Sequence, residues 1–187
     1  MRKRVIFLIA TLILVTIFVN AGFCEDDKYY ARCNLKVIKG DHITWINWQA
    51  SPSFILVGTE LKVAKKGRHL VNVKTGASYT LDAGAKGDMY LEKFITKTPI
   101  DIKHFPDNVQ SNIKKALAKV GMTKKEVYIA MGPPAKIPAG STKMMTYDEI
   151  MRADLWIYAR RRFGKNIGVA FDPVTGKVNR TEGIWRK

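Results

Sequence analysis

Gly121-Met122-Thr123-Lys124-Lys125-Glu126-Val127, followed by Met131-Gly132-Pro133-Pro134, carries the most explicit folding instructions in this chain. Thr123 and Glu126 stand at capping-box spacing. The hydroxyl accepts from the Glu126 N–H, and the carboxylate accepts from the Thr123 N–H. A helix is therefore predicted from Lys124 to Met131, stopped by a glycine and two prolines. Just upstream, Asp107 is placed to cap a helix whose apolar positions Val109, Ile113, Ala116, Leu117 and Val120 follow helical spacing. Lys114, Lys115 and Lys119 take much of the other face, and Gly121 stands where a left-handed residue closes a helix. Two short helices joined by one glycine turn make a helical hairpin.

Downstream, Thr146-Tyr147-Asp148-Glu149 repeats the capping box, so a short extra helix is expected through Met151. Leu155-Trp156-Ile157-Tyr158-Ala159 reads as a strand. Arg160 to Gly164 make a basic turn, and Ile167, Val169 and Phe171 alternate in a second strand. Asp172-Pro173-Val174-Thr175-Gly176 has strong turn chemistry, and Lys177 to Trp185 closes with a third strand. Residues 99–187 thus read as an α+β domain, with the hairpin packed on a three-stranded antiparallel sheet.

Gly121 to Val127, Met131-Gly132-Pro133-Pro134, Asp154 to Tyr158, Phe171 and Gly176-Lys177-Val178 together resemble the SmpA/BamE outer-membrane assembly family, whose relatives include the repeat unit of β-lactamase-inhibitor proteins. The resemblance implies a BamE-like helical hairpin on a three-stranded sheet and a role in outer-membrane assembly or maintenance.

Residues 29–98 have a different texture. Leu35 to Ile38, Ile43 to Trp48, Glu60 to Ala64, His69 to Lys74 and Ala77 to Leu81 are short strand-like segments. Lys39-Gly40-Asp41, Ser51-Pro52-Ser53, Lys65 to Arg68 and Thr75-Gly76 separate them. Such spacing points to a small antiparallel barrel or sandwich. Val57-Gly58-Thr59-Glu60-Leu61-Lys62-Val63, followed by a basic hairpin, resembles bacterial SH3-like domains. Trp45 and Trp48 would then point to opposite faces of one strand. One would be core, and Trp48 is a candidate for peptide contact. The composite expectation is α+β: an SH3-like β-barrel followed by the BamE-like domain.

The N-terminus indicates location. Arg2, Lys3 and Arg4 precede an apolar run from Val5 to Val19, then small residues around Ala21. This is the order of a secretory signal over residues 1–21. The expected location is periplasmic or outer-membrane associated. The alternative is an inner-membrane anchor formed by an uncleaved signal. Cys24 follows Phe23 rather than the small residue a lipoprotein acceptor requires. Cys24 and Cys33, an even pair in an exported chain, are expected to form a disulfide.

Net charge is +16, with 32 Lys and Arg against 16 Asp and Glu. Such a balance selects anionic partners, and export excludes nucleic acid. An envelope protein, an anionic lipid or a cell-wall polymer remains, with peripheral membrane contact. Arg160, Arg161, Arg162 and Lys165 crowd one turn without an acid among them and are the candidate contact, since guanidinium forks suit phosphate and carboxylate oxygens. Acids from elsewhere in the fold are the alternative partners for that cluster. Trp156 and Tyr158 share one strand face, either covered by helices or part of the interaction surface. His42, His69 and His104 are far apart, and no paired carboxylates or nucleophile–base motif appear. A non-enzymatic binding or scaffold protein without a cofactor or metal is expected. A wall- or lipid-binding module, or a modulator of an envelope enzyme, is the alternative.

Overall fold

The computed structural model describes residues 28–64, 67–160 and 164–184. The predicted signal segment, Cys24, Arg161 and Arg162 lie outside these residues.

Eight strands build the first sheet: β1 (Lys28–Ala31), β2 (Leu35–Ile38), β3 (His42–Thr44), β4 (Ser53–Ile55), β5 (Glu60–Ala64), β6 (His69–Asn72), β7 (Ser78–Asp82) and β8 (Ile95–Thr96). Their order is β4-β2-β3-β7-β6-β5-β1-β8, a curled half-barrel that is antiparallel except where β3 meets β7. Five more build the second: β9 (Lys136–Ile137), β10 (Gly140–Ser141), β11 (Leu155–Tyr158), β12 (Asn166–Phe171) and β13 (Val178–Ile184), in the order β10-β9-β11-β12-β13. The α-helices among the described residues are α1 (Asp88–Leu91), α2 (Asp107–Lys114), α3 (Lys124–Met131) and α4 (Tyr147–Arg152), none longer than eight residues.

This architecture overturns the α+β expectation of an SH3-like barrel followed by a BamE-like hairpin on three strands. The molecule is mostly β. Short pairing segments account for much of the difference. β1 and β8 extend the first sheet beyond the segments read as strands, and β9 and β10 add two strands to the second. Helix α2 is also shorter than its apolar spacing suggests. It ends at Lys114, and Ala116 rather than Gly121 takes the left-handed conformation at φ 53°. The Leu117 N–H reaches the Asn112 carbonyl and the Ala116 N–H reaches that of Ile113, the paired bonds of a Schellman ending.

The local signals within the second half hold. Thr123 and Glu126 form their capping box, as do Thr146 and Glu149. On β11, Trp156 and Tyr158 are both fully buried, so theirs is the covered face. Trp156 meets Phe171, Tyr128 and Tyr158 edge-on at 4.7, 5.9 and 6.4 Å. Such pairs add about 0.5–1.5 kcal/mol each beyond the area they bury.

One buried cluster runs from Leu35, Ile43 and Leu61 through Val127 and Met131 to Trp156 and Val169, joining both sheets. Two buried asparagines fasten it. Asn34 Nδ2 donates to two helix-terminal carbonyls, those of Ile113 (2.7 Å), which the Ala116 N–H also reaches, and Ala130 (2.9 Å). Asn47, left-handed at φ 47°, donates to Met131 O at 2.7 Å and accepts from Lys36 N at 2.7 Å. Gly132 must lack a side chain, because a Cβ there would collide with the Asn47 amide.

Candidate anion-binding cleft

Strand alternation explains the position of Lys36. Leu35 and Val37 turn into the curled sheet and are buried, which sends Lys36 to the opposite face. That face is not open to solvent: Lys36 is only 4% exposed. The β2–β4 register sets Phe54 directly across from it, and the ammonium lies 4.2 Å from the ring centre. Among the described residues no carboxylate pairs with Lys36. Burial holds its pKa below the ordinary lysine value. A desolvated cation with only an aromatic face for company is costly unless an anion joins it.

Lys36 lines a cleft of about 690 Å³ between the two sheets. Gln49, Ser51 and Phe54 share its wall, the Lys115–Ala118 segment after α2 forms a second, and residues of β12 and β13 form a third. Among the described residues four cations line it: Lys36, Lys115, Arg160 and Lys165. Among the described lining residues Glu182 is the one acid, and it lies 3.5 Å from Arg180 on its own strand. The neutral donors are largely committed. Gln49 Nε2 serves the carbonyls of Asn47 and Met131 at 2.7 and 2.9 Å, and the Ser51 hydroxyl serves Val37 O. Charge therefore dominates what the cleft offers a ligand. A concave site with low-dielectric walls and an excess of one sign of charge concentrates counter-ions.

Glycine at 183 completes the cleft wall. A Cβ there would stand 2.8 Å from Lys165 Cδ, so the lysine stem crosses this position closely. The predicted contact residues thus divide. Arg160 and Lys165 join Lys36 and Lys115 in the cleft. Trp156 and Tyr158 lie in the core, where the indole N–H donates to Ile150 O and the phenol to Gly132 O, both at 3.1 Å. Trp48 is half-buried but is not on the strand expected for it. β3 ends at Thr44, and the left-handed Asn47 breaks the alternation on which the opposite-face argument relied.

Cys33 is a fully buried free thiol 3.8 Å from Lys93 O, and burial pushes its pKa up to about 12. Such a thiol is inert, the reverse of an activated nucleophile. His42 contacts Asp41 at 2.5 Å, and His104 approaches Asp101 at 3.8 Å. Among the described residues no group of three or more His, Cys, Asp or Glu converges. Nor is any helix among them long and apolar enough to cross a membrane.

A second buried lysine escaped the sequence reading. Lys93 is 1% exposed, and its ammonium donates to the carbonyls of Thr142 (3.2 Å) and Lys143 (3.1 Å). It ties the first sheet's final connection to the turn that precedes α4. Lys36 was missed because a single lysine in Leu35-Lys36-Val37-Ile38 looks like the solvent side of an edge strand. The available signal was its neighbourhood: every other residue of that strand is apolar.

The chain matches no family model, no curated protein and no solved structure.

Proposed function

We propose that this chain is a non-enzymatic binding protein of the bacterial envelope that assists outer-membrane assembly or maintenance by holding an anionic partner in the cleft between its sheets. The observation that carries this reading is Lys36, a buried ammonium that no carboxylate among the described residues pairs with, on the wall of a cleft lined by Lys115, Arg160 and Lys165 as well. Native proteins rarely bury a lysine unpaired, and an incoming carboxylate or phosphate supplies the missing charge. Lys115, Arg160 and Lys165 add attraction at longer range, which accelerates encounter more than it tightens the complex. The signal-like N-terminus and the charge of +16 support an envelope setting rich in anionic surfaces.

Sedimentation of the purified chain with phosphatidylglycerol vesicles, with peptidoglycan and with polyglutamate tests the reading. Binding should occur to at least one of them. It should weaken as salt rises and fall in a variant carrying Arg160→Gln and Lys165→Gln. Binding to none of the three at low salt would overturn the reading.

A further inference from the structure

Strand β13 ends the second sheet, and among the described residues no strand pairs with its outer edge, beside the cleft. From Asn179 to Ile184 it pairs with β12 alone among the described elements. Val178 differs: it accepts from Gly121 N and donates to Met122 O, so among the described residues the edge is covered at its start alone. In an antiparallel ladder every second residue turns its N–H and C=O away from the partner strand. Such edges invite another strand, and proteins blunt them with prolines, bulges or very short strands. β13 is seven residues long and has no proline. Its irregularity lies at the Ala170/Phe171 level, away from the cleft end. Its two charges, Arg180 and Glu182, pair with each other at 3.5 Å and leave no net repulsion on the edge. Residues Asn179 to Gly183 are exposed on both faces of the strand.

Thr181, Glu182 and Gly183 at this open end also line the cationic cleft. A ladder of main-chain donors and acceptors therefore runs alongside Lys36, Lys115, Arg160 and Lys165. We infer that β13 takes an extended acidic peptide as an additional strand, with alternate carboxylates turned into the cleft. Main-chain bonds would give such a complex its affinity, and the alternate side chains its selectivity. A lipid headgroup would satisfy the cations but cannot match a row of peptide groups. A second copy could pair edge to edge, but would bring two clefts of like charge together on chains of +16. The inference rests on the anion-binding reading of the cleft and specifies its ligand.

A short blocked peptide of alternating glutamate and valine, titrated into the purified full chain, tests it. Two further versions carry N-methyl groups at every second residue, in the two alternative phases. Binding of the unmodified peptide should slow amide hydrogen exchange within Asn179–Ile184. One N-methylated phase, facing β13, should bind more weakly by on the order of tenfold for each hydrogen bond removed. The other phase should bind like the parent. Equal binding of all three peptides, with exchange in β13 unchanged, would overturn the strand-addition inference while leaving the anion-binding reading intact. So would binding of phosphatidylglycerol vesicles without any binding of the peptides. Exchange in β13 that slows with protein concentration alone would assign the edge to a second copy and overturn the inference. Binding of no anion at all would remove both readings.

Discussion

Lys36 and Phe54 face each other across the β2–β4 ladder with the ammonium 4.2 Å from the ring centre, in a site where the lysine is 4% exposed. A cation–π contact contributes about 0.5–2 kcal/mol, more when it is desolvated. The effective cost of burying a charge is several kcal/mol. The ring therefore offsets only part of that cost, and the remainder is available to any anion that enters the cleft. Ligand binding should raise the depressed pKa of Lys36. Below that pKa the ammonium is already charged, and above it binding must take up a proton, so affinity should fall as pH rises past it.

Asn34 should be among the most sensitive polar residues. Asn34→Ala strands the Ala130 carbonyl and the N–H of Val57, whose bond the side-chain oxygen accepts at 3.1 Å, and removes one of the two donors on the Ile113 carbonyl. Each unsatisfied buried group costs about 1–3 kcal/mol, so a loss of about 2 kcal/mol or more is expected in urea unfolding. A loss below about 1 kcal/mol would mean that water replaces the amide.

Ala116 carries a conformation that suits glycine. At φ 53° an alanine is strained by roughly 1–2 kcal/mol, while glycine adds conformational freedom to the unfolded chain. Ala116→Gly should raise stability by about 0.5–1 kcal/mol. A decrease in the unfolding midpoint would show that its buried methyl matters more than the backbone strain.

Lys93 gives stability a pH dependence of definite sign. Burial lowers its pKa from 10.5 to about 8, against the raising influence of Asp82 and Glu149. Between those values the unfolded chain holds the proton and the folded chain does not, so stability rises with pH through this window. The destabilising effect is fully present below about pH 8 and is relieved as pH approaches 10.5. Relative to Lys93→Met, the parent protein should gain stability between those pH values. A difference independent of pH would contradict the assignment.

Cys33 should be chemically silent while the protein is folded. Its thiol is fully buried, with a pKa raised to about 12 by burial. In a Cys24→Ser variant, an exposed-thiol reagent should react only at the rate of unfolding, accelerated by urea. Rapid reaction in native buffer at neutral pH would show that the thiol reaches solvent.

Features set by neighbours in sequence were readable before the fold. The capping boxes at Thr123 and Thr146, the stop at Gly132 and the alternation that pairs Trp156 with Tyr158 all depend on side chains a few positions apart. Features set by distant neighbours were not. Asn34 and Asn47 look like turn residues until α2 and α3 deliver carbonyls to them. Nothing local tells that α2 stops at Lys114, because apolar spacing continues to Val120 while the chain leaves the helix at Ala116. The basic turn was legible as charge through Arg160 and Lys165, but the cleft was not. Lys36 comes from the other sheet, and Lys115 follows a helix whose end was misplaced.

The most direct test of the cleft's role is Lys36→Met, measured for both polyanion binding and thermal unfolding. The substitution keeps the aliphatic stem and removes a buried charge that has no carboxylate partner among the described residues. Loss of one charge-assisted contact, about 1.5–3 kcal/mol, should weaken binding of polyglutamate or of phosphatidylglycerol vesicles by about tenfold to a hundredfold. The unfolding temperature of the unliganded protein should hold or rise. Unchanged binding, or a fall in unfolding temperature with binding per folded molecule preserved, would show that Lys36 is a structural residue and that the cleft is not the anion site.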